Sequence, residues 1–383
     1  MFKVAVGHSE DVDAEDAIQE ILKQCHDELG ALEAQAGILY SSIDYDYQIL
    51  LDAINIAHPG IELIGCTVDG ELSSKMGFLE DSVALVLFSS DEVDIKAGVA
   101  EHVPTTIEGG IKDSISATQG LSDKEAKLCI INPLSLTASG SVILDEFKKH
   151  LGDEFPIYGL SSADQWQFKQ TYQFYKNSVL TDAIPFLIFS GPLLFGSGVS
   201  TGWRPRGDVG VVSRVENNVL FEVDNQSAVA FYQKYLGKGL HFGDYPLAIF
   251  EDPESDEFYL RAPIVTNEED GSVLFTADIP EHVRVQITYG VTENLIAASK
   301  ESIDLARESY GGKKPEVVIC FSCSGRRQVL GGRTKEEFEL LQDFYPNIKA
   351  FGGYGFGEIA PITAGGPSKF HNETFVTLLL GSE

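Results

Sequence analysis

Positive charge is scarce in this 383-residue chain: 28 lysines and arginines stand against 58 aspartates and glutamates, a formal net charge of −30. A surface so acidic repels phosphate backbones and anionic lipid headgroups, which excludes nucleic acid and membrane surfaces as expected partners. No apolar run approaches the ~20 residues that a bilayer crossing needs, so membrane insertion is not expected. The opening MFKVAVGHSEDVDAED runs into acidic residues where a secretory signal would continue apolar. Cysteines are few, odd in number and scattered (Cys25, Cys66, Cys129, Cys320, Cys323). That is no disulfide framework, and it points to a reducing, cytoplasmic location.

Catalytic signatures are missing as well. A G-x-G-x-x-G frame through Gly353 and Gly355 would need glycine where Glu358 stands, and no G-x-x-x-x-G-K-[ST] occurs. There is no G-x-S-x-G elbow. The eight histidines (His8, His26, His58, His102, His150, His241, His282, His371) include no H-x-x-x-H pair. A single C-x-x-C, Cys320 to Cys323, has no second pair to complete a zinc site. The expectation is a protein that is not an enzyme.

What the chain does contain is a threefold recurrence. IELIGCTVDGEL (61–72), FPIYGLSSADQW (155–166) and IKAFGGYGFGEI (348–359) are each an apolar strand ending in glycine, then a polar loop. Each is followed by a second apolar strand: DSVALVLFSS, AIPFLIFSG and ETFVTLLLGS. Upstream, AGILYSS, KLCIINP and VVICFSC read as short strands, and amphipathic helices follow them. FKVAVGHS, VDIKAGVAEH and VRVQITYG each precede a further helical stretch. The pattern predicts an α/β fold of three related β-α-β-α-β-β units, residues 1–93, 94–195 and 281–383, with mixed sheets. Residues 196–280, rich in turns and short alternating strands, predict a β-rich insertion before the third unit.

Aligning the strand glycines Gly65, Gly159 and Gly352 places Glu71, Gln165 and Glu358 six residues on. Strand ends of α/β sheets are where ligands bind, although such a side chain can equally cap the following turn. The stretch CFSCSGRRQVLGGR puts Cys323, Ser324, Arg326 and Arg327 at another strand end. Arginines there could clamp a carboxylate or lower the Cys323 thiol pKa; an Arg326–Glu358 ion pair bracing the two loops is the structural alternative.

These same residues resemble the FIST family (F-box and intracellular signal transduction). IGCTVDGELS with VALVLF is similar to the family's N domain. VVICFSCSGRRQVLGGRTKEEFELL with FGGYGFGEIAPI is similar to its C domain, which by this resemblance begins near 226. The resemblance implies a sensory module that binds a small ligand such as an amino acid. Carried over by position, the motif residues are Cys323, Arg326, Gly355, Gly357 and Glu358 in the C domain. In the N domain they are Gly65, Cys66, Gly70 and Glu71. The candidate ligand-binding set is Cys66, Asp69, Glu71, Cys323, Ser324, Arg326, Arg327, Gly352, Tyr354, Gly355, Gly357 and Glu358. Some family members are regarded as haem-binding nitric-oxide sensors, which makes a histidine-ligated haem one alternative; an enzyme with Cys323 as nucleophile is another. No F-box-like, kinase or methyl-accepting segment is legible, so a separate signalling protein is implied as partner.

Overall fold

A computed structural model describes residues 2–237, 244–252, 254–311 and 314–382, with residues 104–106 described by backbone alone. The first unit runs β1 (Phe2–Ser9), α1 (Ala14–Leu29), β2 (Ala36–Ser41), α2 (Tyr47–Ala57), β3 (Glu62–Thr67), a hairpin of β4 (Glu71–Ser73) and β5 (Gly77–Leu79), and β6 (Val83–Ser90). The second repeats it: β7 (Asp94–Ala100), α3 (Val103–Gln119), β8 (Ala126–Ile131), α4 (Gly140–Leu151), β9 (Ile157–Leu160), hairpin β10 (Gln173–Tyr175) and β11 (Ser178–Leu180), and β12 (Ile184–Ser190). Local chemistry fixes the helix ends. Asp13 caps α1 by accepting from the N–H groups of Glu15 and Asp16, and the helix buries Ala17, Ile18, Ile21, Cys25 and Leu29 on one stripe.

The third unit opens on β13 (Leu193–Ser200), which pairs along its whole length with the last strand. An inserted nine-stranded sheet follows: β14 (Arg204–Pro205), β15 (Gly210–Glu216), β16 (Val219–Val223), β17 (Gln226–Ser227), β18 (Leu247–Phe250), β19 (Tyr259–Arg261), β20 (Pro263–Asn267), β21 (Ser272–Phe275) and β22 (Arg284–Tyr289), with α5 (Ala228–Leu236) packed against it. The unit then resumes with α6 (Thr292–Ser309), β23 (Val317–Cys323), α7 (Ser324–Leu330), α8 (Lys335–Phe344), β24 (Lys349–Gly355), hairpin β25 (Glu358–Pro361) and β26 (Ser368–His371), and β27 (Phe375–Ser382). The insertion therefore lies inside the third unit, after its first strand. VRVQITYG is not that first strand: it forms β22, which pairs with β14, β15 and β18 of the inserted sheet. The expected start at residue 281 moves back to 193.

Each unit's four long strands line up first–fourth–second–third, the middle pair antiparallel and the last pair parallel. The fifth and sixth places in each sheet belong to another unit's hairpin. β4–β5 joins the third sheet, β10–β11 the first, and β25–β26 the second. The inner faces meet in one core, with Ile38 and Ile64 from the first sheet, Ile130 and Leu187 from the second, and Ile319 and Leu378 from the third. Helices cover the outer faces.

The three strand glycines have one cause. Gly65, Gly159 and Gly352 sit opposite Leu39, Ile131 and Cys320 of the parallel neighbour. A Cβ at these positions would lie 1.9, 2.2 and 2.3 Å from the facing carbonyl oxygen. Only glycine tolerates such an approach. Among the described residues no helix is long and apolar enough to cross a membrane.

Candidate ligand-binding site

β23 delivers Cys323 to the edge of the core, and α7 begins on the next residue. Two residues into that helix, the Arg326 guanidinium is wholly buried. Nη2 lies 2.7 Å from Glu337 Oε1 on α8, and Nε donates to the same oxygen at 3.2 Å. Nη2 also donates to the Leu295 carbonyl (2.9 Å) and Ser299 Oγ (2.8 Å), and Nη1 to the Thr201 carbonyl (2.5 Å). Tyr354 donates its hydroxyl to the other Glu337 oxygen at 2.6 Å. Arg326 therefore ties α6, α7, α8 and the segment after β13 together. The Arg326–Glu358 pair, the structural alternative to a ligand clamp, gives way to Arg326–Glu337, because α8 offers a carboxylate within the same buried layer. Arg327 turns to Glu80 (2.8 Å) and donates to the Asp69 carbonyl, joining the third unit to the first.

Strand register shows which hairpin residues correspond. Leu72, Phe174 and Ile359 face Gly352, Gly65 and Gly159, so the residue before each is equivalent: Glu71, Gln173 and Glu358. Gln165, aligned by constant spacing, is not the counterpart, because the loop from β9 to β10 is longer than in the other units. All three side chains are buried and accept from the residue just before the final strand of their unit. Glu71 accepts from Ser82 Oγ (2.5 Å), Gln173 from the Ala183 N–H (3.3 Å), and Glu358 from the Thr374 hydroxyl (2.9 Å) and N–H (3.2 Å). Glu358 thus braces its hairpin through Oε2, while its Oε1 has no partner. In the first unit the chain of bonds extends from Ser82 to His8 Nε2 (2.8 Å) and from His8 Nδ1 to Ser73 (2.7 Å).

One residue earlier in the same turn, each unit carries an acid in the left-handed region: Asp81, Asp182 and Glu373, with φ of 55°, 55° and 60°. The third has the longer side chain, and Glu373 lines a cavity. That cavity, about 540 Å³, lies between the loops of the second unit, the turn of the third and the inserted sheet. Trp166, Phe168 and Phe356 form an aromatic wall, with Phe168 stacked on Phe356 at 5.2 Å. Leu134, Ile264, Val265 and Leu274 supply apolar surface, and Cys323, Ser324 and Gly325 close the inner end beside Glu373. A Cβ on Gly325 would sit 2.2 Å from Glu373 Oε1, so glycine here keeps the carboxyl in place. Asn372 clamps the inserted sheet to this turn, accepting from Thr276 Oγ1 (2.5 Å) and the Ala262 N–H (3.4 Å).

Burial dominates the electrostatics. It pushes the Glu373 carboxyl up to about 8, with Arg326 opposing, and holds Glu358 well above the usual carboxylate range. Burial, then Glu358 and Glu373, raise the Cys323 thiol well above its ordinary value. Asp69 is pushed up to about 6 by burial, against the Ser324 hydroxyl, the Gln165 N–H and Arg327. Around the cavity, Glu373 Oε2, Ser135 Oγ, Ser161 Oγ and Trp203 Nε1 are buried without a hydrogen-bond partner.

Family models match two adjoining segments that together span most of the chain: the FIST N domain over residues 35–226 and the FIST C domain over 228–361. The chain belongs to the FIST family. FIST domains are signal-transduction sensor domains. An uncharacterized protein of Methanocaldococcus jannaschii is 27% identical over 325 residues, covering 75% of this chain and 59% of its own length. The chain thus spans under two thirds of that relative. Among solved structures, a cyanuric acid hydrolase from A. caulinodans aligns with a TM-score of 0.41 at 9% identity, covering 100% of this chain and 99% of that one. A chorismatase aligns with a TM-score of 0.37 at 8% identity, covering 100% and 98%. At this level neither bears on function.

The FIST motif residues divide into braces and lining. Cys323 and Ser324 line the cavity. Arg326 and Tyr354 belong to the Glu337 network, and Cys66 and Glu71 are buried in the seam between units. Asp69 accepts the Gln165 N–H at 2.5 Å beside Arg327. The room at Gly352, Gly355 and Gly357 is taken by protein: the Cys320 carbonyl, the Ser161 carbonyl with Leu160, and the Phe370 ring. At these three glycines the space that a side chain would fill is occupied by neighbouring chain. Glu373 and the Trp166–Phe168–Phe356 wall are functional candidates that the motifs missed. The recurring acid in EDS, TDA and NET, two residues before each unit's last strand, was the available signal. No histidine among the described residues lines the cavity. His8 and His371 are committed to internal bonds and held down to about 4 by burial. His241 lies outside the described residues.

Proposed function

We propose that this FIST protein is a sensor that binds a small organic molecule in the cavity between its second unit, its third unit and the inserted sheet. The supporting observation is a set of buried, partnerless polar atoms, among them Glu373 Oε2, Ser135 Oγ, Ser161 Oγ and Trp203 Nε1, in a chamber with a large aromatic and aliphatic share of its lining. Each orphaned polar group costs roughly 1–3 kcal/mol, and native interiors pair nearly all of theirs. A ligand that supplies the missing partners removes that cost. The size also suits one small molecule. An amino acid, the class implied by family resemblance, would have its ammonium group served by Glu373. Binding, not covalent chemistry, is the use we assign to Cys323: burial and two neighbouring carboxyl groups disfavour the thiolate that a nucleophile needs. The Asn372 clamp gives the ligand a means of output, because the occupant touches both the units and the inserted sheet that Asn372 holds together. A separate signalling protein would read that change.

The chain's two tryptophans, Trp166 and Trp203, both line the cavity, so intrinsic emission reports occupancy. Titration with a panel of amino acids and their amine, alcohol and acid analogues should give a saturable change with at least one compound. Calorimetric binding that leaves the emission unchanged would place the ligand elsewhere and sink the reading, as would silence across the panel.

A further inference from the structure

The chemical class of the occupant is written in the charges of the chamber. Among the described residues no lysine or arginine lines it, whereas Glu373 stands at its inner end and Asp244 at its rim. Glu373 is 4% exposed, and its Oε2 has no hydrogen-bond partner. Arg326, the cation whose charge is felt at Glu373, lies over the Trp203 ring, 6.0 Å from the ring centre, and is already paired with Glu337 at 2.7 Å. An anionic ligand would meet Glu373 with Glu358 behind it and no cation in front. An ammonium ion would meet aromatic rings and a carboxyl group that can give up its proton and pair with it. With a net charge of −30, the protein's field also draws cations toward it.

Resting on the cavity reading above, we infer that the occupant is a compact organic amine, its ammonium group against Glu373 and its apolar body among Trp166, Phe168 and Phe356. Ser135 and Ser161 give or take one further hydrogen bond, and Trp203 Nε1 donates one, so a hydroxyl on the ligand is accommodated. A carboxylate on the ligand is not. This separates an amine from the amino acid with the same side chain, whose acid group would find no counter-charge.

The inference carries a proton signature. The groups facing Glu373 are Cys323 on β23, Arg326 on α7, Glu358 on β25 and Asp244 of the inserted segment. In the empty chamber burial keeps the Glu373 carboxyl protonated at neutral pH, its pKa being pushed up to about 8. An arriving ammonium ion favours the carboxylate, so the carboxyl O–H breaks and its proton leaves to solvent as the ion pair forms. Affinity for an amine therefore rises from pH 6 to pH 8 and levels off until the amine itself deprotonates near ~10.

The test uses the full chain with phenethylamine, 2-phenylethanol and 3-phenylpropionate as probes. Binding is followed by tryptophan emission and by calorimetry in two buffers of different ionisation enthalpy. Phenethylamine should bind on the order of tenfold tighter than the alcohol, with the acid weakest, and should release close to one proton at pH 7. Glu373→Gln should reduce the amine to the level of the alcohol, leave the alcohol within about twofold, and flatten the pH dependence. Should that variant fold poorly, Asp244→Asn at the rim should weaken the amine alone, by about two- to fivefold. An alcohol or acid that quenches the tryptophans as strongly as the amine overturns the amine class and leaves the cavity reading standing. So does an amine preference that survives Glu373→Gln. Silence from all three probes overturns both.

Discussion

Replacing Arg326 with methionine tests whether this motif residue is a brace. The substitution keeps the length and apolar stem of the side chain and deletes a guanidinium that makes five hydrogen bonds. Glu337 would be left as a buried carboxylate held by the hydroxyls of Tyr354 and Ser299 alone at short range, and the Thr201 carbonyl would lose its donor. Removing one partner of a buried, well-bonded ion pair costs about 3–5 kcal/mol, because the other charge stays behind uncompensated. The double variant Arg326→Met, Glu337→Met removes both charges and should recover most of that loss, to within about 2 kcal/mol of the parent. Urea unfolding at pH 7, with the slope checked for constancy between variants, measures both numbers. Any of these variants that stays folded should keep its tryptophan response to a cavity ligand. A single variant within about 1 kcal/mol of the parent, or a folded one that has lost ligand response, would refute the bracing role.

Two further outcomes follow from burial. Glu373 sits near 8 in the folded chain against 4.5 for a free glutamate. Its contribution to stability is full below pH 4.5 and is lost as pH rises through 8. Relative to the parent, Glu373→Gln should therefore gain stability between pH 5 and pH 8.5, by up to roughly 5 kcal/mol; a pH-independent difference in thermal unfolding would contradict the burial argument. All five cysteines are buried, and Cys323 is held as a thiol. Iodoacetamide at pH 8 should leave them unmodified until denaturant is added, as read by intact mass, and rapid selective alkylation of Cys323 would revive the nucleophile reading.

The three units were legible because the physical demand behind them is local. A parallel strand pressed onto a facing carbonyl must be glycine, so Gly65, Gly159 and Gly352 mark the same place in each copy. The start of the third unit was hidden by the same kind of demand. LLFGSGVS reads as a turn-rich segment, yet its glycines are there because α6 packs directly onto β13. A Cβ on Gly198 would lie 2.1 Å from the Ser302 carbonyl. Spacing misplaced Gln165 because loop length varies while strand register does not. The partner of Arg326 could not be read from sequence, since Glu337 and Glu358 are both acids at plausible distance and only the packing of α8 selects one. Glu373 escaped notice for a different reason: its role comes from the inserted sheet closing over it, and nothing in NET announces a roof.

The exchange of hairpins among the three units sets an order of completion during synthesis. The first sheet needs nothing beyond β11, so it can close once residue 180 has been made. The second waits for β26, and the third for β27. Until then β9 has an open edge awaiting β25, and the hairpin from residues 71–79 has no strand to join. A fragment cut at the junction of the two FIST segments, between 226 and 228, would keep both of those unpaired edges permanently. Unpaired strand edges invite pairing with other chains. The two family segments are thus separable as sequence but not as folded matter, and a newly made chain stays adhesive until its last strand arrives.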